Sequence, residues 1–200
     1  MSALRIAVVV GSIRKDSYNR QFAEALVKQL PADFKAQFIR IDDLPLYNQD
    51  DDGHQPAPVL RLKQEVAESQ GVLFVTAEYN RSIPGVLKNA IDNASRPYGH
   101  SAWANKPAGV IGVSIGTIGT AMAQQHLRNV LVFLNMPTMA QPEAFIQVKD
   151  GFFDADGHLE LGITTLGSIA TFDPEWGGAI DAPLRTAAAQ LSSDLGAGSA

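Results

Sequence analysis

The sequence predicts an α/β fold, a doubly wound five-stranded parallel sheet with helices on both faces, and two observations carry that prediction. Short runs rich in Val and Ile alternate with longer stretches whose apolar residues recur every three or four positions, the pattern of strands buried on both sides and of helices laid over them. The 200 residues, 46% hydrophobic and 18% charged, suffice for one such domain with a sizeable core. Residues 1–200 are therefore read as a single domain.

The first strand is expected at Leu4 to Val10, apolar apart from Arg5. A helix follows from Tyr18 to Leu30, where Phe22, Ala25, Leu26 and Gln29 trace one face. Ala36 to Ile41 supplies the second strand, and the polar loop Asp42 to Pro58 precedes a helix over Val59 to Ser69. Strand three is Gly71 to Thr76; the next helix, Pro84 to Ala94, carries its proline early, where the missing N–H costs nothing. Ala108 to Ser114 forms strand four, Thr120 to Leu134 the fourth helix, and a fifth strand lies near Pro137 to Ala140, reaching toward Ile146. Five strands fit a flavodoxin-like order. From about residue 155 the pattern becomes irregular: Asp154 to Gly157 reads as a turn, no long amphipathic helix emerges before Pro183, and Leu191 to Ala200 reads as a frayed tail.

A formal net charge of −5 with dispersed Lys and Arg gives no basic footprint for nucleic acid. The absence of cysteine excludes disulfides, thiolate metal sites, iron–sulfur clusters and a cysteine nucleophile. Any redox chemistry must then belong to a bound cofactor. No apolar run reaches membrane-spanning length, and the Ile6 to Val10 run is short for a signal-peptide core, so the expectation is a soluble, cytoplasmic chain without a membrane span. The Asp50-Asp51-Asp52 run lacks calcium-loop spacing, and the four histidines are scattered; no metal site is expected.

The chemistry concentrates in three loops. After strand one comes Gly11-Ser12-Ile13-Arg14-Lys15-Asp16-Ser17-Tyr18-Asn19, which opens a helix. Unpaired N–H groups and the helix dipole favour an anion there, with Ser12, Ser17 and Asn19 as neutral donors and Arg14 as a charged fork. Ser17 alone reads as a helix cap; the four together read as a cradle for one terminal phosphate. Neither a Walker loop nor the Gly-x-Gly-x-x-Gly turn of dinucleotide sites is present. After strand three comes Glu78-Tyr79-Asn80-Arg81-Ser82, and after strand four Ser114-Ile115-Gly116-Thr117-Ile118-Gly119. In a doubly wound sheet these three loops meet beyond the carboxyl ends of the strands, and they offer an aromatic, an amide, hydroxyls and glycine backbone suited to a flat ring. Glu78 gains no catalytic partner from the sequence, and no side-chain acid or base is assigned.

These residues resemble the bacterial NAD(P)H-dependent FMN reductases, a family that includes quinone and chromate reductases. The similarity rests on Gly11-Ser12-x-Arg14-x-x-Ser17-x-Asn19, on Glu78-Tyr79-Asn80-x-Ser82-x-Pro84-Gly85-x-Leu87-Lys88-Asn89-Ala90-Ile91-Asp92, and on Ser114-x-Gly116-x-x-Gly119 followed by Gln125-x-Leu127-Arg128. The resemblance implies FMN as cofactor, NADPH or NADH as electron donor, and quinones as small-molecule acceptors, with chromate, azo compounds or free flavin as further ones, by ping-pong hydride transfer. It implies that Ser12, Arg14, Ser17, Tyr18 and Asn19 hold the phosphate, that Glu78, Tyr79, Asn80 and Ser82 line the ring, and that Ser114, Gly116 and Thr117 border the ring or ribityl chain. A homodimer or homotetramer is implied too. Three positions depart from the family pattern: Arg81 where an aromatic or small residue is frequent, Asn93 where Trp is frequent, and Thr120 where a second glycine follows. Arg81 is a candidate to bind an anionic substrate or the phosphate of NADPH, or else an interface residue. The region beyond 155 lacks the family's charged terminal helix. Two rivals are a flavodoxin-type electron carrier without turnover of its own and a flavin-free α/β binding domain.

Overall fold

A computed structural model describes residues 3–159 of the chain. The irregular stretch beyond residue 159 and the Leu191 to Ala200 tail lie outside the described residues.

Strand β1 (Leu4–Gly11) leads to helix α1 (Tyr18–Val27), β2 (Phe34–Ile39), α2 (Ala57–Ala67), β3 (Gly71–Thr76), α3 (Gly85–Ala94), β4 (Ala108–Ile111), β5 (Val113–Ser114), α4 (Ala121–Phe133) and β6 (Ile146–Gln147). β1 to β4 form a parallel sheet in the order β2-β1-β3-β4, and β5 and β6 form a separate parallel pair. β2 begins two residues before its expected start, because Phe34 pairs with Leu4.

The alternation of β1 decides the layers. Ala7 and Val9 point into a core with Leu62 and Val66 of α2, Leu87 and Ile91 of α3, and Leu127 and Leu131 of α4. Ile6, Val8 and Val10 point into a second core with Phe22 and Leu26 of α1 and with Ile146 and Phe152. Successive strand side chains face opposite sides, so α1 covers one face and α2, α3 and α4 the other. Trp103 is wholly buried in the first core; its indole N–H donates to the Ile91 carbonyl at 2.9 Å and its ring lies 5.7 Å from that of Phe74.

The expected single strand over Ala108 to Ser114 is broken at Gly112. A Cβ there would sit 2.1 Å from the Thr76 carbonyl oxygen, so the end of β3 crowds the chain and only glycine passes. The main sheet accordingly has four strands, with β5 and β6 as a two-stranded pair beyond Gly112. Near Pro137 to Ala140 only Thr138 makes a parallel bridge, to Ala108; the partner of β5 is β6, at Ile146–Gln147. Pro137 and Pro142 have no N–H to give a ladder. Two backbone bonds hold this segment beside β4, from the Ala108 N–H to the Pro137 carbonyl at 2.8 Å and from the Met139 N–H to the Ala108 carbonyl at 2.9 Å. Side chains of α4 add two more: the Gln124 amide donates to the Ala144 carbonyl at 2.8 Å, and Arg128 Nη1 donates to the Met139 carbonyl. Burial pushes the Arg128 guanidinium below its usual value while Glu143, 3.5 Å away, pushes it up.

Candidate functional site

Gly11 registers with Thr76 across β1 and β3, and Val75 with Ile111 across β3 and β4, so the three polar loops leave the same edge of the sheet side by side. From β1 the chain moves first to β2 on one flank and then to β3 on the other. The loops after β1 and β3 therefore border the switch point, where open α/β sheets bind ligands.

At the first loop, Ser17 is the N-cap of α1: its Oγ accepts from the Arg20 N–H at 3.3 Å, which leaves its own hydroxyl hydrogen to donate. The amide groups of Tyr18 and Asn19, in the first helical turn, have no intrahelical acceptor. Ser12 is half-buried with its Oγ 3.4 Å from the Arg14 amide, and Arg14 is exposed with its guanidinium carbon 5.6 Å from the Tyr18 ring centroid. Asn19 is different. It is 4% exposed, its Nδ2 donates to the Val113 carbonyl at 2.9 Å, and its Oδ1 accepts from the Val113 N–H at 2.9 Å. Its side chain ties α1 to β5, leaving its backbone N–H for an anion. Hydroxyls, a cation and free helix N–H groups make a donor set that fits a phosphate monoester.

At the second loop, the Tyr79 and Ser82 backbones close on each other, N–H to carbonyl, at 3.0 and 3.1 Å. Asn80 and Arg81 between them have φ of 55° and 64°, positive at both central positions as in a type I′ turn. Arg81 takes there a conformation that side chains other than Asn, Asp and Gly adopt at a cost. The turn is stapled to α4 twice. Glu78 Oε2 accepts from the Ala123 N–H at 3.0 Å, and Ser82 Oγ lies 2.7 Å from His126 Nδ1. Glu78 thereby places an acceptor and a negative charge at the start of α4, whose N-cap residue Thr120 makes no side-chain cap bond. Thr120 sits at φ 69°, where glycine is at ease, and its Oγ1 accepts from Gln124 Nε2 at 3.0 Å. Tyr79 is 52% exposed beside the turn.

At the third loop, Ser114 Oγ accepts from the Gly116 N–H at 3.1 Å, and Gly116 and Thr117 are exposed. A Cβ on Gly116 would meet nothing nearer than 3.5 Å, whereas one on Gly119 would lie 2.3 Å from the Ile146 nitrogen. Gly119 is required by packing and Gly116 lines open space. The two segments expected from the sequence to wall a flat ring are a tight turn with positive φ at Asn80 and Arg81 and a loop with open space at Gly116.

The sequence reading misses His126. Gln125-x-Leu127-Arg128 brackets it, but its partner Ser82 lies 44 residues away, a separation no local pattern reports. Elsewhere, an open cleft of about 500 Å³ near Asp52, His54, Lys63 and His100 includes none of the three loops. In the acidic run, Asp52 faces the Tyr47 hydroxyl at 3.4 and 3.5 Å. Among the described residues one cluster has metal-like spacing, Asp154, Asp156 and His158; the Asp154 carboxylate accepts from the Asp156 and His158 amides at 2.9 and 2.7 Å, which accounts for it as a turn.

Known proteins share this arrangement. The family described as NADPH-dependent FMN reductase matches residues 4–150. A 2-hydroxy-1,4-benzoquinone reductase from a Burkholderia species is 52% identical over 157 residues, 78% of this chain and 86% of that protein. A quinone reductase of Pseudomonas putida is 50% identical over 155 residues, 77% of this chain and 83% of that one. Among solved structures, the flavoenzyme NAD(P)H:(acceptor) oxidoreductase FerB from Paracoccus denitrificans superposes with a TM-score of 0.76 at 38% identity, covering 98% of this chain and 94% of its own. A Pseudomonas aeruginosa flavodoxin, 20% identical with a TM-score of 0.50 over 74% of this chain and 86% of its own, shares the fold alone. With the matched residues spanning all three loops and the donor set that fits a phosphate, the chain belongs to the NADPH-dependent FMN reductase family.

Proposed function

We propose that this protein is an FMN-dependent NAD(P)H oxidoreductase that reduces quinones. The observation that carries the reading is the meeting of an anion-binding helix start, a main-chain turn and a glycine loop at one switch point. Bound FMN supplies the ring that accepts a hydride equivalent from the nicotinamide and passes it to the quinone. Ser12, Arg14, the Ser17 hydroxyl and the Tyr18 and Asn19 amides hold its phosphate in this reading. Glu78, Tyr79, Asn80 and Ser82 line the ring; Ser114, Gly116 and Thr117 border the ring or ribityl chain. With FMN bound, main-chain amides around Tyr79 and Asn80 would supply donors for negative charge on the reduced ring.

Several finer statements belong to the same proposal. The chain is one domain, its sheet acts as a five-stranded doubly wound unit with β5 and β6 completing the edge, and its nicotinamide donor places it in the cytoplasm. Among the described residues no helix is long and apolar enough to cross a membrane. Val132 and Phe133, exposed at 71% and 79% near the end of α4, suit contact with a second copy away from the three loops, and in this reading the protein assembles as a homodimer or homotetramer. Arg81, exposed at the turn, attracts an anionic acceptor or the NADPH phosphate.

The test is the visible spectrum of the FMN-loaded protein, followed anaerobically. Bleaching by NADPH or NADH and recovery on adding 1,4-benzoquinone support the reading, and the same cycle screened with chromate, an azo dye and free flavin defines its breadth. Flavin that binds and is bleached by neither nicotinamide means an electron carrier; protein that binds no flavin means a different ligand for all three loops.

A further inference from the structure

Reduction of a quinone to its quinol consumes a hydride equivalent and one proton, and nothing so far supplies the proton. We infer that His126, pinned through Nδ1 by the Ser82 hydroxyl, delivers that proton to the quinone oxygen from Nε2. The inference rests on the quinone reductase reading above and adds a catalytic residue to it.

The geometry is specific. Ser82 closes the turn that lines the proposed ring site, and its Oγ lies 2.7 Å from His126 Nδ1. Glu78, at the other end of the same segment, bonds the Ala123 N–H at 3.0 Å, one helical turn before His126 on α4. Two staples from one five-residue segment to one helix hold His126 beside the turn, with Nδ1 taken up by Ser82. His126 is exposed, and among the described residues its Nε2 has no hydrogen-bond partner.

A hydroxyl partner suits a group that must cycle. With the ring neutral, Ser82 donates to Nδ1 and the remaining proton sits on Nε2; with the ring protonated, Nδ1–H donates to Ser82 Oγ. The pair survives both states without moving. In the reaction a quinone takes up the hydride equivalent that NAD(P)H supplied while the imidazolium gives its Nε2 proton to the second quinone oxygen; the neutral quinol leaves, and solvent returns a proton to the exposed imidazole. The other ionisable groups on the elements around it are Glu78 and Arg81 on the turn segment, Arg128 on α4, which faces Glu143, and the Lys88–Asp92 pair on α3.

The test compares two acceptors on the NADH-reduced, FMN-loaded protein by stopped flow: 1,4-benzoquinone, which takes up a proton, and ferricyanide, which takes electrons alone. His126→Asn is expected to lower the quinone-to-ferricyanide ratio of reoxidation rates about tenfold or more and to flatten its fall with rising pH. Ser82→Ala, which keeps the imidazole but unpins it, is expected to lower the ratio less. In the flavin-free wild type, nitrogen-detected NMR of the neutral ring is expected to show the Nε2–H tautomer for His126, and a tautomer mixture in Ser82→Ala. An unchanged ratio in His126→Asn, or an Nδ1–H tautomer in the wild type, overturns the inference. Failure of either nicotinamide to bleach the wild-type flavin overturns the parent reading instead, a result visible before any variant is made.

Discussion

The loop after β1 and the turn after β3 flank the same switch point and are built in opposite ways. The first is local: Ser17 caps its own helix three residues on, Arg14 leans over Tyr18 four residues away, and the helix N–H groups face outward without help. The second is held from a distance, Glu78 by Ala123 across 45 residues and Ser82 by His126 across 44. Local chemistry suffices to seat an anion, because a helix start carries its own donors. Placing main chain against a flat ring requires that the turn be fixed to the rest of the protein.

Substitutions that test this contrast rank by how much backbone they displace. Gly119→Ala is expected to be the most damaging, by about 3 kcal/mol or more, since its Cβ would meet the Ile146 backbone at 2.3 Å with φ at 55°. Gly11→Ala, whose Cβ would meet the tip of the buried Leu87 side chain at 2.9 Å and Thr76 at 3.1 and 3.3 Å, is expected to cost less than Gly119→Ala, because the nearest atom is the end of a side chain rather than backbone, and chemical denaturation of the pair reads the difference. Equal losses would mean that the end of β1 and the third loop are equally constrained.

Asn19→Leu comes next. It strands the Val113 N–H and carbonyl in a buried place, at a cost of about 2–3 kcal/mol, and is expected to weaken FMN binding through the shift of α1 against β5. Fluorescence titration with FMN and a thermal melt separate the two effects.

Glu78→Ala removes the acceptor that caps α4, worth about 1 kcal/mol, and frees one staple of the turn. Glu78→Gln keeps an acceptor at the same reach and is expected to recover most of the stability. If both variants melt together, the carboxylate charge rather than its hydrogen bond holds the helix start.

Arg81→Gly runs the other way. Releasing a side chain from positive φ is expected to stabilise the fold by up to about 1 kcal/mol, less what glycine loses in chain entropy. If Arg81 draws in the NADPH phosphate, the same variant raises KM for NADPH and leaves KM for NADH in place; equal changes for both remove it from coenzyme choice.

The smallest expected effect is local. Hydrogen bonds from the His158 amide, chiefly, hold the Asp154 carboxyl below the usual aspartate value. A carboxylate depressed in the folded state contributes stability above its unfolded value, near pH 4, and loses it as pH falls through the folded value. The protection factor of the His158 amide is expected to fall below that window while those of the β1 and β3 amides hold.

The sequence alone determined the order of strands and helices, the donor-rich helix start after β1 and the three polar segments that leave one edge of the sheet, because each is written in residues a few positions apart: apolar period, helix cap, hydroxyl beside a helix start. Tertiary structure alone decided the rest. Gly112 breaks a strand because the Thr76 carbonyl stands 2.1 Å from where a Cβ would be, and the fifth pairing shrinks to one bridge at Thr138 and resumes at Ile146, with α4 side chains carrying the segment between. Asn19 reads from sequence as a donor to the ligand and proves a tie between α1 and β5; His126 reads as a stray histidine and proves the partner of Ser82. Each of these outcomes depends on what lies across a gap of dozens of residues, and hydrogen bonding across such gaps is settled only when packing brings the elements together.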